Sequence, residues 1–459
     1  MFEKKNSLEK SLLLLSIILS IYPLLFIGHG DLYCIAKWGY ELDSHFFNGT
    51  LARFQIDMNQ AIQLPSNYTL FCNTITAIWL LPIYAINTFF HLSIDASIWY
   101  KFLPFTSVMI TLIFIGKICE RVEVLKGKSL MIQLLYFISP LVQISTFGKG
   151  QVDGLGTMFF VIGMYYFLEK KYISMSVFLG FSILIKPFAI IFFIPVDIFL
   201  FRREKLKTLI YLAIPIIMYG FDHILSNRLI TDYSYYGKQL EIYMQNLGYG
   251  SPFIMRLFEQ KIFSTPIIPL CSTILCIFCG LLILQREPKP HEYLTYGTMI
   301  FVPFLLFIHF SPQWMLYILV PILFLTVARF DKIISYAFIG LFYLGYLLYG
   351  ISYGGQEAIV GYNFAPIKLV DDRYYIKSST FLDNIFQRPY DDLGLWLIFA
   401  IIFVVLYYNF RLEKTEKNFI DVDFVFHTEL FEKLFLLGIF SIPVLYYLFE
   451  ILSYIKAGV

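Results

Sequence analysis

Residues 11–40 read S-L-L-L-L-S-I-I-L-S-I-Y-P-L-L-F-I and then G-H-G-D-L-Y-C-I-A-K-W-G-Y, an apolar run that ends on a glycine-flanked acid. The run, residues 11–27, has the length of a bilayer crossing, which takes roughly 20 mostly apolar residues. Asp31 therefore stands where the chain leaves the lipid, at the start of an amphipathic segment. A carboxylate at that depth is costly unless it faces water, a partner or a substrate. Two readings follow: a general base at a membrane–water interface, or an interfacial acid capping a short helix. The run exceeds a signal-peptide core and has no small-residue cleavage site, so it is read as retained.

Outward from this stretch the pattern repeats. Hydrophobic residues make up 58% and charged residues 15% of the chain, with a mean hydropathy of +0.69. The fold class is therefore all-α, a polytopic transmembrane helical bundle. The 49 Phe and 34 Tyr suit a lipid-facing surface with aromatic belts at both interfaces. A net charge of +2 without a basic stripe gives no nucleic-acid partner. Cys271, Cys276 and Cys279 lie in one apolar run without paired zinc spacing and read as buried thiols. Cys34 and Cys72 share the outer side, which leaves a disulfide open.

Charge sets the topology. Basic clusters separate the apolar runs at Lys4/Lys5, Lys117–Lys128, Lys170/Lys171, Arg202–Lys207, Arg286/Lys289, Arg329/Lys332 and Arg411–Lys417. Positive loops mark the cytoplasmic side, so an even number of crossings should separate each consecutive pair. Two runs fall in each of residues 129–169, 172–201, 206–284, 292–327 and 333–410. Between Lys5 and Lys117 there are three: residues 11–27, 70–91 and 98–116. The run 70–91 carries Asn73, Thr74, Thr76, Pro82, Asn87 and Thr88, a polar load that suits a juxtamembrane or re-entrant helix. With a last run at 434–452 the count is about 13 spans, N-terminus inside and C-terminus outside. No repeat and no separate soluble domain emerge. One transmembrane domain, 1–459, contains a first outer loop at 28–100, a core at 101–225 and a C-terminal part at 226–459. Asn48-Gly49-Thr50 and Asn67-Tyr68-Thr69, in that outer loop, match the glycosylation acceptor pattern.

Polar residues then gather at the outer ends of the spans. They are Asp31; Lys101 in W-Y-K-F-L-P; Lys149, Gln151 and Asp153 in F-G-K-G-Q-V-D-G; Lys186 in I-L-I-K-P-F; and His309, Gln313 and Trp314 in I-H-F-S-P-Q-W. Outer lysines run against the charge rule, and an anionic headgroup gives them a reason, because Lys is a flexible point charge suited to phosphate. Lys101 and Lys149 either snorkel to water or bind phosphate. Lys186 lies between apolar stretches, where an unpaired cation is costly without a function. Asp153 also fits the cap of a helix beginning at Gly154. His309 alone reads as a buried, hydrogen-bonded histidine; Gln313 and Trp314 beside it make it a candidate contact.

Together these segments resemble the integral-membrane glycosyltransferases of the GT-C superfamily. The resemblance rests on G-D-L-x-x-x-A-x-W-G-x-x-L (Gly30, Asp31, Leu32, Ala36, Trp38, Gly39, Leu42), G-Q-V-D (Gly150 to Asp153) and L-G-F-S-I-L-I-K-P (Leu179 to Pro187). It is clearest across residues 28–195 and nearest to mannosyltransferase-like enzymes that use polyprenyl-phosphate sugars. The resemblance implies a GT-C-like fold with juxtamembrane helices in the first outer loop, Asp31 as base and Asp153 as a second acid. It also implies a sugar donor carried on dolichyl or undecaprenyl phosphate. One departure stands out. Relatives often carry Tyr-Pro-Pro or Lys-Pro-Pro at the entry to the juxtamembrane helix, whereas this chain has L-P-S-N-Y-T (Leu64 to Thr69).

The expected chemistry is transfer of a hexose, mannose foremost, to a glycan, glycolipid or protein acceptor on the non-cytoplasmic face. An acceptor hydroxyl attacking the anomeric carbon needs a carboxylate base and a stabilised phosphate leaving group. Lys186, with Lys101 or Lys149, is expected to hold the phosphate; Gln151, His309, Gln313 and Trp38 complete the candidate substrate-binding set. One base and direct displacement give inversion. No cofactor is required by this scheme, though Asp31 and Asp153 suit Mg or Mn as a divalent cation. The membrane is a prokaryotic plasma membrane or the endoplasmic reticulum. A transporter or lipid flippase using the same rim charges is the alternative, and a non-catalytic scaffold is the third.

Overall fold

The computed structural model describes residues 7–26, 30–62, 66, 68–186, 189–230, 261–262, 265–266, 274, 277, 280–281, 292–307, 312–352, 389–411 and 429–456. These are helical almost throughout. A two-residue antiparallel pair, Lys261–Ile262 with Thr265–Pro266, is the one strand pairing among them. Among the described residues six helices are long and apolar enough to cross a membrane, and a seventh span is reached if one bent pair counts as a single crossing. The chain is on these grounds a multi-pass helical membrane protein.

In order, the helices are α1 (Ser7–Leu19), α2 (Ile21–Phe26), α3 (Gly30–Phe47), α4 (Phe54–Ile62), α5 (Leu70–Phe90), α6 (Ala96–Tyr100), α7 (Phe102–Arg121) and α8 (Ser129–Ile138). A π-helix, Leu141–Gly148, follows α8 after a 53° bend. Then come α9 (Asp153–Leu168), α10 (Tyr172–Ile185), α11 (Ala189–Glu204), α12 (Lys207–Leu229), α13 (Glu292–Phe307), α14 (Leu316–Arg329), α15 (Lys332–Ser352), α16 (Pro389–Arg411) and α17 (Glu429–Lys456). Pro140 explains the bend: it lacks the N–H that would continue α8. The break is hydrophobic on all sides, and every residue of the π-helix is buried.

Side-chain contacts sort the helix ends into two groups. At the basic end Arg121 pairs with Glu169 at 2.7 Å, Lys332 with Glu9 at 2.8 Å, and Arg329 donates to Asn409 at 3.1 Å. Lys128 there donates to the Val327 carbonyl at 2.6 Å. At the far end Lys101 donates to the Pro23 carbonyl at 2.7 Å and Tyr100 to the Gly150 carbonyl at 2.9 Å. Tyr22 meets Tyr447 edge-on, with ring centroids 5.3 Å apart. Helix α14 runs through the middle: every residue from Leu316 to Ala328 is buried, as expected of a helix apolar all round. By contrast, α12 buries only Thr208, Pro215 and Ser226 and presents its apolar side chains outward.

Helix α5 is long enough to span, and the partners of its first turn belong to the far end. Thr69, its N-cap, donates to the Leu184 carbonyl at 2.6 Å, and Phe71 N–H donates to Asp222 of α12 at 2.7 Å. Near its midpoint, Trp79 and Trp99 exchange indole–carbonyl hydrogen bonds at 3.1 and 2.9 Å. Asn87 brackets the backbone of Ile94. By length and composition α5 is one of the candidate spans, so its juxtamembrane course is an expectation that these bonds accompany.

Candidate functional site

The far end collects the two acids and the lysine that the sequence singles out. Asp31 lies in the first turn of α3 and is exposed, and Gln151 donates a short hydrogen bond to its carboxylate. Gly150 makes this approach feasible. It adopts φ +64°, and a Cβ at that position would stand 2.6 Å from Leu32 Cδ1 and 3.3 Å from Tyr100. A left-handed backbone and missing side chain together let the 149–152 turn fold onto α3.

Asp153 opens α9 and is 1% exposed. The helix begins at Asp153 itself, with Val152 as its N-cap and no side-chain cap. The capping role expected for Asp153 ahead of Gly154 is therefore not realised. Neither of its carboxylate oxygens has a hydrogen-bond partner among the described residues. A buried carboxylate without partners is expensive, so such a group signals something other than stability. Lys186 and Asp31 both act on it electrostatically.

Lys186 ends α10, half-buried, in extended backbone (φ −151°, ψ 135°). Its ammonium sits over the ring of Tyr68, 4.7 Å from the centroid, and among the described residues it forms no ion pair. Tyr68 in turn packs edge-on against buried Trp38, centroids 5.7 Å apart. Burial pushes the Tyr68 hydroxyl well above its usual range, and the charges of Asp153 and Asp31 push the same way, so it stays neutral. Burial, aided by Asp31, likewise raises the Cys34 thiol to about 12, which removes it as a nucleophile.

The remaining candidates divide. Lys101 is 2% exposed and donates to the Pro23 carbonyl, so it neither snorkels to water nor faces this cluster through that bond. Lys149 is buried in the turn beside Gly150. Gln313 and Trp314 are half-buried in a short 3-10 helix, Pro312–Met315, which packs against the π-helix. His309 lies outside the described residues, as do Cys271, Cys276 and Cys279. Cys34 and Cys72 are free thiols, which corrects the disulfide left open by their shared side. Among the described residues no group of three His, Cys, Asp or Glu gathers for a metal. Asp31 and Asp153 offer two carboxylates only.

Sequence reasoning missed Tyr68 and Asp222. Tyr68 sits in the L-P-S-N-Y-T stretch, read only as a departure from a motif and as part of a glycosylation triplet. Asp222 is a lone carboxylate in an apolar helix, a signal in itself; it caps the start of α5 from a neighbouring helix. No model of a known protein family matches the chain, and a search among curated proteins finds no match.

Proposed function

We propose that the chain is a glycosyltransferase of GT-C type that moves a hexose, mannose foremost, from a polyprenyl-phosphate carrier to an acceptor on the non-cytoplasmic face. The observation that carries this reading is the gathering of Asp31, Asp153 and Lys186, which forms no ion pair among the described residues, at the end of the bundle opposite the basic loops. Asp31, exposed and oriented by Gln151, takes the proton of the acceptor hydroxyl. The hydroxyl oxygen attacks the anomeric carbon, the bond to the phosphate oxygen breaks, and the configuration inverts. Lys186 compensates the charge arriving on the polyprenyl phosphate. Asp153 holds the acceptor or the sugar through its unpartnered oxygens. The acceptor class is a glycan, glycolipid or protein, and the membrane a prokaryotic plasma membrane or the endoplasmic reticulum. No metal is needed for this displacement; a Mg or Mn ion would find two carboxylates.

The thirteen-span topology is part of the proposal. It is supported by α7 and α9 meeting at the basic end through Arg121 and Glu169, and by α10 meeting the N-cap of α5 at the far end through Leu184 and Thr69. One observation favours the alternative of a transporter or flippase: the broken α8–π segment, since transporters often bind at discontinuous helices. A single experiment separates the two. Purified protein in vesicles is given labelled polyprenyl-phosphate mannose and candidate acceptors. The expected result is a glycosidic product from wild type and a loss of about a thousandfold in Asp31→Asn. Unchanged transfer by that variant removes Asp31 as base; lipid or sugar movement with no glycosidic product favours transport.

A further inference from the structure

The described residues between α4 and α5, Ser66, Tyr68 and Thr69, make several tertiary contacts. Gln55 brackets Ser66 with two amide hydrogen bonds, 3.0 Å to its carbonyl and 2.9 Å from its N–H. Asn73 donates to the Ser66 hydroxyl at 2.8 Å. Thr69 is tied to α10 through Leu184, two residues before Lys186, and Phe71 to α12 through Asp222. Tyr68 stands between these anchors, its ring against Trp38 on one side and under the Lys186 ammonium on the other.

Lys186 has the Asp153 carboxylate within electrostatic range, yet its contact is with a π face. An aromatic face attracts a cation by its quadrupole but accepts none of its directed N–H bonds as strongly as a carboxylate does. An ammonium paired with Asp153 would be neutralised and unavailable to an incoming anion. We propose that Tyr68 is a positioning residue that parks Lys186 on its ring, away from Asp153, and so keeps its N–H donors open for a phosphate monoester or diester. This rests on the reading of Lys186 as the phosphate contact and adds to it the group that sets the lysine's availability.

The test is binding of polyprenyl phosphate, without sugar, to the full-length protein in nanodiscs, with inorganic phosphate as a separate arm. Tyr68→Phe keeps the ring and is expected to bind as wild type. Tyr68→Leu removes the π face and is expected to weaken binding about tenfold. In a Lys186→Gln background the same Tyr68→Leu change is expected to cost nothing further. Stepwise fluorination of a phenylalanine at position 68 drains the ring face at nearly constant shape, so affinity should fall with each fluorine even if the leucine variant does not fold. A flat fluorination series, or an equal cost of Tyr68→Leu with and without Lys186, overturns the parking role and leaves the glycosyltransferase reading intact. Wild-type protein that binds no polyprenyl phosphate overturns both. Equal responses to inorganic phosphate would assign the site to phosphate as such; a response confined to the lipid would assign it to the headgroup in its membrane.

Discussion

The basic end of the bundle and the Asp31, Asp153 and Lys186 cluster at the far end treat charge in opposite ways, although pairs such as Lys37–Glu41 and Arg53–Asp57 form elsewhere in the outer loop. At the basic end acids and bases are paired: Arg121 with Glu169, Lys332 with Glu9, Lys126 with Glu123. At the far end Asp153 has no hydrogen-bond partner and Lys186 no ion pair among the described residues, although each feels the other's charge. Pairing at a surface contributes little stability, about 0–1 kcal/mol, but it avoids a penalty. Holding opposite charges apart in a half-buried site accepts that penalty, and folds retain it where function requires the groups unneutralised. The contrast teaches which charges fasten the protein and which are kept for something else.

The sharpest way to break the contrast is to neutralise one carboxylate at each end. Asp153→Asn removes a buried unpartnered charge, so melting temperature should rise or hold while sugar transfer falls about a hundredfold. Glu9→Gln removes the buried partner of Lys332, so melting temperature should fall, by roughly 1–2 kcal/mol of stability, with transfer unchanged. Thermal melts in detergent alongside the transfer assay check both. Loss of stability in Asp153→Asn, or loss of transfer in Glu9→Gln, would mean that the two ends do not differ in this way.

A milder probe uses two glycines with the same backbone. Gly150 at the far end has φ +64° and Gly127 at the basic end φ +75°. An alanine at either carries the left-handed cost of about 1–2 kcal/mol. At Gly127 nothing lies within 4 Å of the added Cβ, whereas at Gly150 Leu32 is 2.6 Å away. Gly150→Ala is therefore expected to push the 149–152 turn off α3, loosen the Gln151–Asp31 bond and lower kcat about tenfold. Gly127→Ala should cost stability alone. Equal effects on kcat would remove the turn from the site.

How much of this was legible in the sequence depends on what each residue needs. The spanning helices were readable, because apolar length is a local property. Asp31, Asp153 and Lys186 were readable because charges beside apolar runs demand a reason. The partners were not. Lys101 looks like Lys186 in sequence, yet one donates to a backbone carbonyl and the other rests on an aromatic ring. That difference lies in contacts 78 and 118 residues away along the chain, such as Lys101 with Pro23 and Tyr68 with Lys186. No local pattern encodes them. Asp153's failure to cap α9 was equally hidden, since the helix starts one residue earlier than the glycine suggested.

The smallest expected effect asks whether unpaired carboxylates at the far end are a habit of the region or belong to the site alone. Asp43, on α3 and clear of the spans, is nearly buried, and one of its oxygens has no partner among the described residues. Burial raises it to about 7. A carboxyl that holds its proton more tightly when folded stabilises the fold fully below its free value, about pH 4, and loses that contribution as pH rises through about 7. Wild-type melting temperature should accordingly decline between about pH 5 and about pH 8, and Asp43→Asn should flatten the decline with transfer unaffected at its optimum. A flat wild-type profile would show Asp43 ionised at no cost; a flattened profile with transfer lost would extend the site along α3, and the contrast between the ends would then belong to the whole outer loop rather than to the three charges at its base.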